Sequence, residues 1–291
     1  MSAWMVSQGD VAEGPLTLEI DTIAAAGQPK RRALRVPGQP SALRSWRKIS
    51  ERVKAAGNVA IFLDFDGTLV SLRPRPEDVR VPKGVRQLLR RLARHEGVVV
   101  VIASGRRVRD LKRLIGLKRL RYFGVHGAEP QGGGMQLSKR TRTALREAHG
   151  SFVREAVHLR GVWVEPKGIS FAVHYRRAAS PSVLRARQCL LRIVGDFGDV
   201  LRILNGKEVW EVLPREIGGK WGVVEKVTGE MPEGAAIIYI GDDETDEEAF
   251  RVLPDQITVA VGKRINTAAR YYLPSSASVL RFLAQLEKEL P

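Results

Sequence analysis

The stretch IFLDFDGTLV (61–70) places two carboxylates at the end of a short apolar run. Asp64 and Asp66 are two residues apart, so on an extended segment their side chains point to the same side. Neighbouring carboxylates repel each other unless a cation lies between them or one of them holds a proton. The alternative is an Asp-Gly turn, Asp66 and Gly67, that closes a hairpin. No clean returning strand follows Gly67, so the pair favours a site for a cation or for acid–base chemistry.

Residues that suit phosphate chemistry follow two other apolar runs. The run VVVVIA ends in Ser104 and Gly105, and the run AAIIYI ends in GDDETDEE, whose first aspartate is Asp242. Lys220 stands in the stretch GGKWG. Taken singly, a Ser-Gly pair is typical of a turn or a helix N-cap, and a lone lysine is typical of a surface. Together with DFDGT, these motifs occupy three strand ends, and with Lys220 they favour one shared site.

A phosphoryl group at these strand ends gives the three aspartates distinct roles. Asp64 would attack phosphorus and form an aspartyl-phosphate, which divides a difficult hydrolysis into two steps. Mg²⁺ prefers hard oxygen ligands, so we expect Asp64 and Asp242 to hold it. Asp66 would protonate the leaving oxygen and later take a proton from water, and its carbonyl oxygen could also reach the metal.

Phosphate binding and charge compensation are predicted for other residues. Ser104 and the amide of Gly105 would bind phosphate oxygens at a helix N-terminus. Lys220 would supply a fixed positive charge opposite the developing negative one. We expect Asp243 or Asp246 to support the metal site from its outer shell. The alternative for this acidic segment is a helix start, because Thr245 and Glu248 have the spacing of a capping box.

The elements that must position these residues are buried strands. Three apolar runs, VAIFL (59–63), VVVVIA (98–103) and AAIIYI (235–240), read as strands covered on both faces, as in a central parallel sheet. A helix between the first two completes a strand–helix–strand unit, and another helix is predicted from near Ser45 to Gly57. Ligands of such sheets bind outside the carboxyl ends of the strands. The predicted fold is therefore α/β and Rossmann-like.

The middle of the chain has a different pattern. A helix at about 138–159 precedes the alternating stretch GVWVEPKGISFAVHYR, and a second helix precedes LRILNGKEVWEVLP, where Asn205-Gly206 predicts a hairpin turn. Two helix-plus-hairpin units predict an inserted α+β domain. We assign residues 132–214 to this cap, residues 43–131 and 215–291 to the catalytic core, and residues 1–42 to a disordered tail.

Composition limits the class of protein. The 291-residue chain has one cysteine, Cys189, which excludes an internal disulfide framework and favours a reducing compartment. No apolar run approaches the roughly 20 residues of a membrane-spanning helix, and the N-terminus lacks a secretory pattern. We expect a cytoplasmic protein. The net charge of +16 allows nucleic-acid binding as a remote alternative, but the arginines follow helices without interleaved aromatics, so solvated helix faces are the preferred interpretation.

The motifs DFDGTL, SGR, Lys220 and GDDETDE resemble the four signature motifs of the haloacid dehalogenase superfamily of phosphotransferases. The stretches HGAE, VEPKGISFAVHYR, NGKEVWEVLP and GDDETDEEAF more closely resemble the trehalose-6-phosphate phosphatase family. The resemblance covers residues from about 58 to the C-terminus. It implies Asp64 as nucleophile, Asp66 as acid/base, and a Mg²⁺ ion held by Asp64, Asp66 and Asp242. One departure is Trp221 after Lys220, where the family usually has glycine.

The resemblance also implies which residues contact the sugar. These are the charged residues Glu129, Glu165, Lys167, Lys207 and Glu211, with His126 and His174 as weaker candidates. The alternative for each is a solvated cross-strand pair on a hairpin. The resemblance implies hydrolysis of trehalose 6-phosphate. The alternatives are another sugar phosphate of the sucrose-phosphate or glucosyl- or mannosylglycerate-phosphate type, or a nucleic-acid-binding protein with a vestigial phosphatase core.

Overall fold

The computed structural model describes residues 38–73, 75–133, 136–206, 208–262 and 266–290, all within one unit of the chain. Most of the predicted disordered tail, residues 1–37, lies outside the described residues. The last residues assigned to that tail are packed: the amide of Ala42 donates to the carbonyl of Tyr272, and Ala42 is fully buried. The sheet edge that Tyr272 offers explains why residues 40–42 are ordered although they have no periodic pattern.

The helices are α1 (Trp46–Ala56), α2 (Lys83–Leu92), α3 (Val108–Ile115), α4 (Lys139–Ala156), α5 (Ser180–Gly195), α6 (Gly219–Thr228), α7 (Glu244–Val252) and α8 (Ser276–Glu287). The strands are β1 (Val59–Leu63), β2 (Val98–Ala103), β3 (Arg121–Gly124), β4 (Glu129–Pro130), β5 (Trp163–Pro166), β6 (Phe171–His174), β7 (Leu201–Gly206), β8 (Val209–Pro214), β9 (Ala236–Gly241), β10 (Ile257–Val261) and β11 (Tyr271–Leu273). Short 3₁₀ turns cover Pro76–Asp78 and Val125–Gly127. Within the described ranges, no helix is long and apolar enough to cross a membrane.

The first sheet has seven strands in the order β11-β10-β9-β1-β2-β3-β4. All its pairs are parallel except β3 with β4. Its central strand, β1, is fully buried, because helices cover both faces and every side chain of VAIFL packs into apolar surroundings. The α/β class with a central parallel sheet is thus confirmed, and the predicted run 235–240 is observed one residue later, at 236–241.

The second sheet has four antiparallel strands in the order β5-β6-β8-β7. It packs with α4 and α5 around its own apolar core, which includes Phe152, Leu190 and Trp210. The two predicted helix-plus-hairpin units therefore exist. We call residues 132–214 the cap segment and the remaining described residues the core; their division into two domains stays a proposal.

The turn of the second hairpin differs from the prediction. Asn205 pairs with Trp210 and Gly206 with Val209, so both residues of the Asn-Gly signal lie within the paired strand β7 rather than in the turn. The strands pair for two more residues than the Asn-Gly signal suggested. Gly206 permits this, because a Cβ at that position would lie 2.8 Å from the Val209 side chain.

Candidate active site

The ends of three neighbouring strands form the floor of one cavity. β1 pairs with β2 on one side and with β9 on the other, in registers that align their last residues. Asp64, Ser104 and Asp242 follow these strands, and with Asp66 and Lys220 they line a cavity of about 570 Å³. The structure therefore brings together the core residues that the sequence singled out. The cap segment supplies the opposite wall.

Lys220 lies between two buried carboxylates. Its Nζ donates to Oδ1 of Asp64 at 2.7 Å and to Oδ1 of Asp246 at 2.7 Å. Tyr239 also donates to Oδ1 of Asp246, at 2.9 Å. Lys220 is only 1% exposed, so its position is fixed by these partners from the first turn of α6.

Burial and neighbouring carboxylates dominate the electrostatics of this group. Burial raises the pKa of Asp64 well above its usual range, and the nearby Asp246 and Asp242 add to the effect, while Lys220 opposes it. Burial also opposes the charged ammonium of Lys220, but Asp246 and Asp64 outweigh it and hold the pKa of Lys220 well above its usual value. Lys220 pairs with Asp64 and Asp246, and an oxygen of Asp242 lies within 4.8 Å of theirs. A divalent cation would stabilise these neighbouring carboxylates in their ionised forms.

The carboxylates of Asp64, Asp242 and Asp246, which we call the acid cluster, are arranged in a way that fits such a cation. One oxygen from each lies within 4.8 Å of the others, and oxygen donors of this kind suit Mg²⁺. Thr68 donates to Oδ1 of Asp242 at 3.3 Å. A Cβ on Gly67 would lie 2.1 Å from Oδ2 of Asp242, so only glycine lets the DFDGT turn approach this carboxylate.

Asp246 plays a larger part than the outer-shell position that the sequence suggested. Its Oδ2 accepts from the amide of Asp243 at 2.9 Å, while the Asp243 side chain accepts from the start of α7, which makes a capping box. The box therefore uses Asp243 and Asp246 rather than Thr245 and Glu248, because β9 ends at Gly241 and α7 begins directly after Asp243. Asp246 both caps α7 and holds Lys220.

Asp66 is held by a residue that the sequence reasoning did not single out. Nε and Nη2 of Arg106 donate to the two carboxylate oxygens of Asp66 at 2.5 and 2.8 Å. The Asp66 carboxylate is thus directed at Arg106 and is not part of the acid cluster. The signal was present, since Arg106 is the last residue of the SGR motif, but only pairing of β1 with β2 puts it beside Asp66.

Ser104 and Gly105 lie at the floor of the cavity as predicted. Oγ of Ser104 accepts from the amide of Arg106 at 3.2 Å, which leaves its hydroxyl proton to donate elsewhere. Glu129, a predicted sugar contact, has a different place: its carboxylate accepts from the amide of Val108 at 2.9 Å and caps the N-terminus of α3. Glu129 does not line the cavity, because the short β4 turns its side chain toward α3.

Glu211 is the centre of a second charged group, the cap cluster, formed with Lys167, His126 and Ser170. Oε2 of Glu211 accepts from Lys167 at 2.8 Å and from His126 at 3.0 Å, and Oε1 accepts from Ser170 at 2.8 Å. Burial would raise the pKa of Glu211, but Lys167 and His126 outweigh it and hold that pKa well below its usual range. Both carboxylate oxygens of Glu211 are therefore hydrogen-bonded and its charge is paired, while Nδ1 of His126 is buried without a hydrogen-bond partner among the described residues.

The cap cluster also fastens the cap segment to the core. Nζ of Lys167 donates to the carbonyl of Gly105 at 2.9 Å. His126, in the core, has a left-handed backbone with φ of 53°. A Cβ on Gly105 would lie 2.7 Å from Nε2 of His126, so glycine is required at this contact. Glu211, Lys167 and His126, which the resemblance assigned to the sugar, line the cavity, and both Lys167 and His126 bond to Glu211.

The remaining predicted sugar contacts are Glu165, its partner His174, and Lys207. Glu165 lines the cavity, and its carboxylate accepts from Nε2 of His174 at 3.0 Å. Burial raises the pKa of Glu165, but the hydrogen bond from His174 and the charge of Lys167 outweigh it, so the pKa is lowered. Lys207 lies outside the described residues.

Comparison with known proteins gives the family. The model of the trehalose-phosphatase family matches residues 62–278. A trehalose-phosphate phosphatase of Mycobacterium ulcerans (strain Agy99) is 32% identical over 253 residues, which cover 79% of this chain and 62% of the relative. A protein of Mycobacterium tuberculosis (strain CDC 1551 / Oshkosh) named an uncharacterized glycosyl hydrolase is 32% identical over 269 residues, 86% of this chain and 20% of the relative. This chain thus spans less than two thirds of the length of these curated relatives.

A solved structure supports the same fold. The C-terminal domain of trehalose-6-phosphate phosphatase from C. albicans superposes with a TM-score of 0.73 at 20% identity, and the match covers 86% of this chain and 98% of that one. The predicted fold class, an α/β core of the haloacid dehalogenase type with an α+β insertion, is confirmed. With the family match over most of its length, the chain belongs to the trehalose-phosphatase family.

Proposed function

We propose that this chain hydrolyses trehalose 6-phosphate to trehalose and phosphate, with Mg²⁺, through an aspartyl-phosphate on Asp64. The observation that carries the proposal is the position of Asp64. It lies at the end of the central strand, bonded to Lys220, in a cavity also lined by Ser104 and Asp242. A nucleophilic carboxylate needs such a fixed cation opposite the charge that develops in the transition state.

In the first half-reaction, Asp64 attacks phosphorus and the bond to the sugar oxygen breaks. Ser104 donates to a phosphate oxygen, and Lys220, held by Asp246, stabilises the added negative charge. Asp64, Asp242 and Asp246 would hold the metal through carboxylate oxygens, with the Asp66 carbonyl as a further candidate. Bound Mg²⁺ would neutralise the carboxylates and polarise the phosphoryl group.

Asp66 has the acid–base role in both halves. It donates a proton to the leaving sugar oxygen, then takes one from the water that cleaves the aspartyl-phosphate. To reach the leaving oxygen, the carboxyl group of Asp66 must exchange at least one of its hydrogen bonds with Arg106 for one to the substrate. Arg106 is therefore a positioning residue for this step.

The relatives named as trehalose-phosphate phosphatases support the choice of sugar, as does a cap wall that carries Glu165 beside Lys167. The test is phosphate release by the purified chain from trehalose 6-phosphate, sucrose phosphate, glucosylglycerate phosphate and glycerol 1-phosphate, each with Mg²⁺ and with EDTA. We expect trehalose 6-phosphate to have the highest kcat/KM and EDTA to abolish the reaction. Preference for another sugar phosphate would replace the substrate, and no phosphate release from any of them would refute the proposal.

A further inference from the structure

An aromatic pair, Trp163 and His174, lines the cap wall of the cavity. The two residues are cross-strand partners of β5 and β6. Their rings stack face to face, with centroids 3.9 Å apart and an angle of 6° between the planes. Trp163 is nevertheless 46% exposed, and an indole left in water loses the stabilisation that burial of its apolar surface would bring. A ligand that covers it would recover that stabilisation.

The pair is held in place by a carboxylate on the same strand. Glu165 is two residues from Trp163 on β5, so both side chains project from the same face. His174 bonds to Glu165 at 3.0 Å and stacks on Trp163, which fixes the orientation of the indole relative to the carboxylate. An apolar ring surface and a hydrogen-bond acceptor therefore stand side by side in the cavity.

A second aromatic stack in the cap segment shows what a purely structural pair looks like. Tyr175 and Trp210 have ring centroids 4.1 Å apart. Both belong to the apolar core of the cap segment, and Trp210 is only 5% exposed. Trp163 is outside that core and on the cavity wall, so packing within the cap segment does not account for its exposure.

We propose that Trp163 is a stacking platform for a pyranose ring of the leaving group, with Glu165 accepting hydrogen bonds from the hydroxyls at the ring edge. A pyranose has an apolar face of C–H groups and a rim of hydroxyls, which match an indole face and an adjacent carboxylate. The inference rests on the proposed function in one respect, that the leaving group is a sugar. It adds a residue outside the charged set that the sequence assigned to the sugar.

The kinetic test compares Trp163→Ala and Trp163→Phe with the wild type on trehalose 6-phosphate and on glycerol 1-phosphate, which has no ring. Loss of the indole should raise KM for trehalose 6-phosphate by roughly ten-fold, as expected for an aromatic contact and its buried area, with kcat little changed. Trp163→Phe should restore most of the affinity. Neither variant should alter the kinetics with glycerol 1-phosphate. An unchanged KM in Trp163→Ala, or an equal loss on both substrates, would overturn the platform.

The control is Leu184→Ala, which removes a 58%-exposed apolar side chain from α5, outside the cavity. It should match the wild type on both substrates and in its melting temperature. Titration with trehalose, followed by tryptophan fluorescence, tests the platform without turnover. The wild type should respond, and Trp163→Phe should not. If the wild type releases no phosphate but the fluorescence of Trp163 still responds to trehalose, the proposed function fails and the stacking platform stands. If the fluorescence response to trehalose persists in Trp163→Phe, only the platform is overturned. If trehalose leaves the wild-type emission unchanged, the platform fails.

Discussion

The acid cluster and the cap cluster face the same cavity but differ in how their charges are matched. The acid cluster has three neighbouring carboxylates, two of which bond to Lys220, and burial raises the pKa of Asp64. In the cap cluster, Lys167, His126 and Ser170 surround one carboxylate, and the pKa of Glu211 is held low. Burial and neighbouring carboxylates disfavour ionisation of Asp64 in the first cluster, whereas hydrogen-bonded cationic partners favour ionisation of Glu211 in the second.

This difference in electrostatics indicates which of the two clusters binds a ligand. Buried carboxylates that lie close together are costly in free energy unless a cation binds to them. The acid cluster therefore indicates a site for a cation and a phosphoryl group. In the cap cluster, the hydrogen bond from Lys167 joins the cap segment to the core. We therefore expect changes in the acid cluster to abolish chemistry and changes in the cap cluster to weaken stability.

The largest effect is expected from Asp64→Asn. The amide is a poor nucleophile and a poor metal ligand, so kcat for phosphate release should fall by at least about 10³-fold. Asp255→Asn is the matched control, because the Asp255 side chain is 93% exposed and does not line the cavity. Retained turnover by a folded Asp64→Asn protein would contradict the role of Asp64.

Removal of Mg²⁺ tests directly whether the acid cluster binds a cation. EDTA should abolish phosphate release, and Mg²⁺ should raise the melting temperature of the metal-free chain by several degrees, since a ligand at 100 times its Kd adds about 2.7 kcal/mol. Asp242→Asn should lose this shift. An identical melting temperature with and without Mg²⁺ would mean that the acid cluster does not hold the ion.

Glu211→Gln tests the cap cluster. The change keeps the size of the side chain but leaves Lys167 and His126 without their buried partner, which should cost roughly 3 kcal/mol in the free energy of unfolding at pH 7. The measurement is urea denaturation of both proteins at pH 7, 5 and 3. Equal stability at pH 7 would show that the cluster does not hold the cap segment in place.

The pH series gives the sign of this contribution. Because the folded pKa of Glu211 is depressed, its stabilisation is present above the unfolded value of about 4.3 and is lost as the pH falls toward the folded pKa. The difference between the wild type and Glu211→Gln should therefore shrink between pH 5 and pH 3. A difference that stays constant over this range would contradict the ionised carboxylate.

The meeting of Asp64 and Asp242 in the acid cluster was predictable from the sequence, whereas the place of Asp246 and the contacts of the cap cluster were not. Asp64, Ser104 and Asp242 directly follow buried apolar runs, so the parallel sheet that those runs predict also predicts that the three residues meet. The contact of Glu211 with His126 joins residues 85 apart in the chain, across two elements whose docking no local pattern encodes.

Two further contacts were not predicted, again because they depend on tertiary packing. Arg106 meets Asp66 only once β1 and β2 pair, and Glu129 caps α3 through the short β4, so tertiary packing rather than motif position decided both. The hairpin does not turn at Asn205-Gly206 as predicted, because the strand pairing includes both of these residues.

The central claim is that the core performs the chemistry while the cap wall selects the sugar. Glu165→Ala tests it most directly, because Glu165 lines the cavity without touching the acid cluster. The measurement is kcat/KM for trehalose 6-phosphate and for glycerol 1-phosphate. The control is Glu155→Ala, which removes an exposed carboxylate of α4 that pairs with Arg192 of α5 outside the cavity. The account predicts a loss of roughly 10- to 100-fold with trehalose 6-phosphate, the value of a charged hydrogen bond, and almost none with glycerol 1-phosphate. An equal loss on both substrates, or no loss on either, would contradict it.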